Sequence, residues 1–335
     1  MTPEPRFDLA ETERRLERNR TDSAAMLSKA EHLLQAGDLR SAGAWFRGVL
    51  NLAFEGRAVS FGERARAEAA VEWIGRRQRQ LLLEGLDQAG LTRAERHPQF
   101  QKSLEIMLGE RQRGTEGGKF PQLPQTYYYP DLPYVQFADP ADYPWRAALE
   151  EQTAAILAEA LDLLADQQAF TPYAKLQEGR PQGDVHGLLG NADWSTWELT
   201  DKGTPLPDRI ARTPQTYAAL EGPVPLCRIP NRAPTPMFSL LRPHSRIPAH
   251  TGMINARFIC HLPLVVPAGC NFRVGEETRE WQVGELMVFD DSVEHEAWND
   301  SDHDRLVLIF DVWRPEVSEV EQQQIETLFR IVDAA

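Results

Sequence analysis

The chain has 335 residues, a formal net charge of −14, 42% hydrophobic and 26% charged residues. That is the balance of an ordinary globular protein long enough for two domains. It argues against nucleic acid and anionic membranes as partners, since both reward clustered positive charge. No apolar run reaches the ~20 residues that span a bilayer, and the polar, charged start lacks the apolar middle of a secretory signal. Cys227, Cys260 and Cys270 form no CxxC and no even set, so free thiols in a reducing cytoplasm are expected.

Residues 8–20 carry charges at helical spacing and read as a solvated helix. Residues 22–53 read as a helical hairpin. Ala25, Leu27, Ala30, Leu33 and Leu34 form one apolar face, Gly37-Asp38 breaks it, and Leu39, Ala42, Trp45, Phe46, Val49, Leu50 and Leu52 form a second. Small residues at Ala36, Gly37 and Ala42 suit a close crossing of the tetratricopeptide type. No second copy recurs at a fixed period, so the pair does not predict a strict repeat array. Residues 62–91 and 96–112 add two long helices. An α-helical, tetratricopeptide-like domain over residues 1–118 is the expectation.

RGTEGGKFPQLPQT (113–126) reads as a linker, and a second domain is expected over 119–335. YYYPDLPYVQFADPADYPW packs its rings onto a core and leads into a helix over 146–166. NADWSTWEL (191–199) reads as a short strand anchored by Trp194 and Trp197, and residues 208–222 as a short helix. From Met237 the pattern is strand after strand: 237–243, 256–266, 271–275, 280–283, 286–290 and 306–313. Turns of Pro, Gly, Asn and Asp separate them, which predicts a sandwich or barrel. A charged helix ends the sequence. The fold class is α+β.

Within the strand-rich stretch, His250 and His295 each lie at a strand edge, where two imidazoles can converge on one metal ion. Non-haem Fe(II) oxygenases usually add a carboxylate two residues after the first histidine. Here that place is Gly252, which offers no ligand. Asp290 and Asp291 read as caps of the turn before His295. Strand alternation puts Arg257, Ile259 and His261 on one face and Arg305, Val307, Ile309 and Asp311 on another. An arginine aimed into a barrel needs an anion. The planar fork of Arg305 suits a carboxylate, and Ser239 would add a hydroxyl. The plainer readings are that each histidine is a satisfied polar residue and that Arg257 pairs with a neighbouring strand.

HTG-x-x-N-x-R-x-x-x-H-L-P-L-V-V-P (250–267), V-F-D-D-S-x-E-H-E-A-W-N-D (288–300) and R-L-V-L-I-F-D-V-W-R-P-E (305–316) resemble, in that order, the aspartyl/asparaginyl β-hydroxylase family. The likeness extends more weakly to PDLP…DYPW (130–145) and DWSTWEL (193–199). It implies a double-stranded β-helix, or cupin-like jelly roll, that uses Fe(II), 2-oxoglutarate and O2. It also accounts for Gly252, because this family uses two histidines and no carboxylate.

By the same resemblance His250 and His295 match the catalytic metal ligands. Ser239, His261 and Arg305 match positions that hold 2-oxoglutarate. Trp194 or Trp197 matches a tryptophan beside it, and Arg257 an arginine implicated with the substrate. Animal members carry a second arginine where this chain has Ile259, which leaves fewer positive charges and the substrate open. The implied activity is hydroxylation of an aspartyl or asparaginyl side chain in a peptide or protein. The alternatives are hydroxylation of a small molecule, such as an amino acid or a lipid, and a non-catalytic carboxylate-binding barrel with a helical docking module.

Overall fold

The computed structural model describes residues 8–114, 117–166, 168–175 and 187–334. The chain divides into two compact units, one built mainly from the chain up to Gly90 and one mainly from Leu91 to Arg330.

In the first unit each helix starts on a side-chain cap that satisfies an otherwise orphaned N–H. Asp8 caps α1 (Leu9–Arg18), Asp22 caps α2 (Ser23–Gln35) and Asp38 caps α3 (Leu39–Phe54). A Ser60–Glu63 capping box opens α4 (Phe61–Gln88). Gly37 ends α2 at φ +85°, a left-handed turn that glycine adopts without a Cβ penalty. The faces expected from the sequence form the core: Ala25, Leu27, Ala30, Ala42, Phe46, Val49 and Ile74 are buried together.

The boundary differs from the expected 118. Helix α5 (Pro98–Met107) falls in the second unit, because its polar groups find their partners there. Ser103 Oγ lies 2.5 Å from the Tyr127 hydroxyl, and the His97 N–H donates to Gln324 Oε1 at 2.9 Å. The expected linker is also anchored from residue 122 onward. Gln122 Nε2 donates to Asp290 Oδ2 at 2.6 Å, the Leu123 N–H to the Ser292 carbonyl at 2.7 Å, and the Gln125 N–H to the Gly252 carbonyl at 2.9 Å.

The second unit begins its strands with β1 (Phe137–Ala138), β2 (Thr171–Pro172) and β3 (Trp194–Glu198), and a separate pair, β4 (Thr200–Asp201) and β5 (Thr204–Pro205). The helix expected over 146–166 is interrupted after Glu150, giving α6 (Arg146–Glu150) and α7 (Thr153–Ala165). That over 208–222 splits into α8 (Pro207–Ile210) and α9 (Pro214–Glu221). Pro214 lacks an N–H and pushes Thr213 out of the helical region.

From Met237 follow β6 (Met237–Leu241), β7 (Ser245–His250), β8 (Arg257–Val265), β9 (Cys270–Val274), β10 (Glu277–Glu280), β11 (Met287–Phe289), β12 (His295–Asn299) and β13 (Arg305–Trp313), then helix α10 (Glu319–Ala334). The larger sheet runs β1-β11-β8-β13-β6-β3-β2 and the smaller β10-β9-β12-β7. Every pairing within them is antiparallel. The interleaved orders β11-β8-β13-β6 and β10-β9-β12-β7 make a double-stranded β-helix. On the outer face of the larger sheet, Ile156, Ala160, Leu163 and Leu220 pack on Phe258, Cys260, Leu262, Leu308 and Phe310. On the inner face, Leu241, Ile259, Phe272, Val274, Trp281, Phe289 and Val307 fill the space between the sheets.

From Met237 onward two strands, β7 and β12, were not expected, and one lies earlier than expected; the two-residue strands β1, β2, β4 and β5 were not expected either. Residues 280–283 were read as a strand, yet β10 ends at Glu280. Gly275 takes φ +59°, and the tight turn at Gly275-Glu276 pairs Glu277 directly with Val274. Trp281 therefore lies just past the strand, buried in the barrel interior.

Candidate active site

β7 ends on His250 and β12 begins on His295, and the antiparallel register places the two residues opposite one another. The imidazole centroids are 4.2 Å apart. His250 Nδ1 lies 2.8 Å from the Pro248 carbonyl and His295 Nδ1 lies 2.9 Å from the Val293 carbonyl. A carbonyl only accepts, so each Nδ1 carries the proton and each Nε2 the lone pair. That is the tautomer a metal-ligating histidine needs. Burial, and then the neighbouring His250, push His295 down to about 3, so its ring is neutral.

Among the described residues no group of three or more His, Cys, Asp or Glu side chains is placed to hold a metal ion. The arrangement brings together two imidazoles, with Gly252 two residues after the first. The space beside Gly252 is filled from another strand connection. A Cβ there would stand 1.9 Å from Asp291 Oδ2. Asp290 caps the turn as expected, with Oδ1 accepting from the Ser292 N–H at 2.9 Å and hydroxyl at 2.5 Å. Asp291 does not. Its carboxylate faces Gly252 and Arg257, and Oδ1 is buried without a hydrogen-bond partner.

Arg257 is thus held within the protein. Its Nη2 donates to Asp291 Oδ2 at 3.2 Å and its Nη1 lies 3.0 Å from Asp311 Oδ2. Burial works against its charge, but Asp291 and Asp311 outweigh burial and raise its pKa. Burial also pushes Asp291 up to about 7. Ile259 lies on the same face of β8, one alternation on, buried in the inner cluster.

Arg305 is 1% exposed. Its Nε has no hydrogen-bond partner, which is also true of Arg257 Nε, but Arg257 faces the carboxylates of Asp291 and Asp311. Burial pushes Arg305 down to about 10, and among the described residues no carboxylate opposes that. Arg314, by contrast, is fully buried against Asp290 at 3.0 Å. Near Arg305 lie His261, which burial and the Arg305 charge hold neutral, and Ser239, on the adjacent strand β6. The Trp194 Nε1–H donates to Ser239 Oγ at 3.1 Å. The Trp194 ring stacks on Tyr173 at 4.0 Å and stands 6.2 Å from His250. Trp197 lies on the other face of β3, beside Arg209 and Arg212 at 4.9 and 5.0 Å. The structure therefore brings Trp194, not Trp197, to the histidine pair.

Tyr173 and Trp281 were not singled out in the sequence, and Asp291 was read there only as a turn cap. Tyr173 backs Trp194, Asp291 occupies the place beside Gly252, and Trp281 contacts both His261 and Arg305. Only Asp291 carried a signal, since it lies within the VFDDSVEH motif.

These residues fit the groups the sequence implies. Two imidazoles whose Nδ1 atoms face carbonyls leave Nε2 to a divalent metal, and the buried Arg305 guanidinium suits an anion. Residues 150–315 match the family model described as Aspartyl/Asparaginyl beta-hydroxylase. The chain belongs to this family. An ornithine lipid ester-linked acyl 2-hydroxylase from Rhizobium tropici is 33% identical over 193 residues, 55% of this chain and 64% of that protein. Aspartate beta-hydroxylase domain-containing protein 2 from Mus musculus is 31% identical over 230 residues, 67% of this chain and 64% of that protein. Aspartyl/asparaginyl beta-hydroxylase from Mus musculus is 35% identical over 144 residues, 42% of this chain and 19% of that protein. The chain thus spans 64% of the length of the first two relatives. Among the described residues no helix of this hydroxylase-family chain is long and apolar enough to cross a membrane.

Proposed function

We propose that this protein is an Fe(II)- and 2-oxoglutarate-dependent hydroxylase, with His250 and His295 holding the metal and Ser239, His261 and Arg305 holding the co-substrate. The observation that carries the reading is Arg305, a guanidinium buried beside neutral His261 with no carboxylate partner among the described residues. A buried, unpaired charge is costly to keep, and a dicarboxylate would cancel that cost while gaining charge-assisted hydrogen bonds. When bound, the iron with 2-oxoglutarate and O2 would supply the oxidising chemistry that puts oxygen into a C–H bond.

The chain's own residues bind, orient and exclude water. Pro248 and Val293 carbonyls fix the ligand tautomers. Phe272 and Phe289 lie 6.0 and 5.6 Å from the His295 ring and wall off the inner side. Trp194 donates to Ser239 Oγ, leaving the Ser239 proton to point at an acceptor.

For the substrate, an aspartyl or asparaginyl side chain in a peptide or protein follows from the family's name. A specific observation favours a second reading, an aliphatic acyl chain such as that of a lipid. Arg257 is committed to Asp291 and Asp311, and position 259 is isoleucine, so a substrate carboxylate would meet no uncommitted cation there. The segments around the histidine pair expose Leu123 (51%), Tyr173 (44%) and Met253 (46%), an apolar border. A relative with 33% identity is named as a lipid acyl 2-hydroxylase.

The test is product formation with Fe(II), 2-oxoglutarate and air. One arm offers Asp- and Asn-containing peptides, and the other acyl lipids in mixed micelles. Mass gain of one oxygen on a peptide side chain supports the first reading, and on an acyl chain the second. No succinate in either arm, and no 2-oxoglutarate binding, would refute the co-substrate assignment.

A further inference from the structure

Trp281 sits just past β10, where the chain leaves the smaller sheet, with its indole buried. Its ring stacks on Phe272, with centroids 5.4 Å apart at 23°. The Arg305 guanidinium carbon stands 5.0 Å from its centroid. Its Nε1–H donates to His261 Nδ1 at 3.2 Å.

The last contact has a chemical consequence. An indole nitrogen only donates, so His261 Nδ1 must accept, and the proton of the neutral imidazole sits on Nε2. His250 and His295 are set the other way, with their Nδ1 protons given to carbonyls. One barrel therefore holds two imidazoles that offer a lone pair through Nε2 and a third that offers a proton through it. The backbone sets the first two. A single side chain sets the third.

We propose that Trp281 is a positioning residue for the anionic co-substrate. It locks His261 as an Nε2–H donor and supports the Arg305 guanidinium on its ring face, so that both present N–H groups to a carboxylate. This rests on the reading of His261 and Arg305 as the 2-oxoglutarate site. Without the indole N–H, His261 can move its proton to Nδ1, and Nε2 would turn a lone pair toward the carboxylate, replacing a hydrogen bond with repulsion. The ring support is cation–π in character and is strongest for a desolvated guanidinium.

The test uses the full chain. Nitrogen-15 NMR of histidine-labelled wild-type protein should show His261 protonated at Nε2 without any added co-substrate. Trp281→Phe keeps a ring under Arg305 and removes the N–H. It should bind 2-oxoglutarate about tenfold more weakly by calorimetry, the scale of one charge-assisted hydrogen bond. Its affinity for Fe(II) should stay at the wild-type value. In turnover, KM for 2-oxoglutarate should rise while kcat at saturation holds. Wild-type 2-oxoglutarate affinity in Trp281→Phe, or His261 protonated at Nδ1 in the wild type, overturns the proposal. Equal loss of Fe(II) affinity would mean general disordering and also overturns it. Should Trp281→Phe fail to fold, the wild-type tautomer decides. Failure of wild-type protein to bind 2-oxoglutarate at all would instead remove the underlying site, and this role with it.

Discussion

Replacing Arg305 with methionine should move stability and binding in opposite directions. Burial pulls the Arg305 pKa from 12.5 to about 10. At about 1.4 kcal/mol per pKa unit, that gap amounts to ~3 kcal/mol by which the unliganded fold is penalised for the charge. The penalty is full below the folded value of about 10 and fades only as the pH rises toward 12.5. It therefore acts undiminished at neutral pH. Methionine removes it and fills a similar volume, but gives up the contact with Trp281, worth ~1 kcal/mol. The net expectation is an unliganded variant about 1–2 kcal/mol more stable than the wild type. In thermal unfolding of the barrel unit this appears as a rise of a few degrees, at about 2–4 °C per kcal/mol. The same substitution should abolish the gain in Tm from 2-oxoglutarate, which in the wild type approaches ~2.7 kcal/mol at a hundredfold excess over Kd. Thermal scans of both proteins, with and without 2-oxoglutarate, supply the four numbers needed. A variant that is less stable when unliganded, or that still gains from 2-oxoglutarate, would refute the reasoning.

Other outcomes follow from the same geometry. Gly252→Ala should destabilise the barrel by about 1–3 kcal/mol, because its Cβ meets Asp291 Oδ2 at 1.9 Å; denaturant titration with no change in midpoint would contradict the placement of Asp291. Arg314→Met should cost about 3–5 kcal/mol, since it strands the buried Asp290 carboxylate, and a neutral effect in the same assay would count against that pair. Trp194→Phe should raise KM for 2-oxoglutarate by loosening Ser239, whereas Trp197→Phe, on the opposite face of β3, should leave it unchanged. His250→Ala should weaken Fe(II) binding by at least about tenfold, and wild-type affinity by calorimetry would dismiss the two-histidine donor set.

The elements legible in the sequence are those whose burial follows a simple period. The α2–α3 hairpin shows both its apolar faces and its Gly37-Asp38 break. β8 and β13 are long, β-branched and aromatic. The strands that escaped from Met237 onward are the two that carry the histidine pair. β12 alternates inward with His295, Ala297 and Asn299, and β7 holds Pro248, so neither shows the apolar alternation of a half-buried strand. His295 turns inward to meet His250, and Asn299 turns inward to donate to the Leu241, Arg242 and His303 carbonyls. The histidine pair was visible as residue types, but its convergence depends on the β7–β12 register. The Trp194–Trp197 ambiguity likewise waits on which face of β3 meets Ser239. Trp281 gave no signal, because its importance lies in an N–H aimed at a residue 20 positions earlier in the chain. The helical boundary was misplaced for a related reason. α5 has ordinary helical periodicity, and only its partners, Tyr127 and Gln324, assign it to the second unit.

In the proposed function, the two histidines and Arg305 would together support oxidation of 2-oxoglutarate. The most direct measurement is succinate release by the full chain, with anaerobically added Fe(II), 2-oxoglutarate and then air, and no second substrate. Slow succinate formation is expected in the wild type and none in Arg305→Met at the same 2-oxoglutarate concentration. Succinate formed equally by both proteins would contradict the role of Arg305. The absence of both succinate and 2-oxoglutarate binding in the wild type would rule out a 2-oxoglutarate-dependent centre in this barrel.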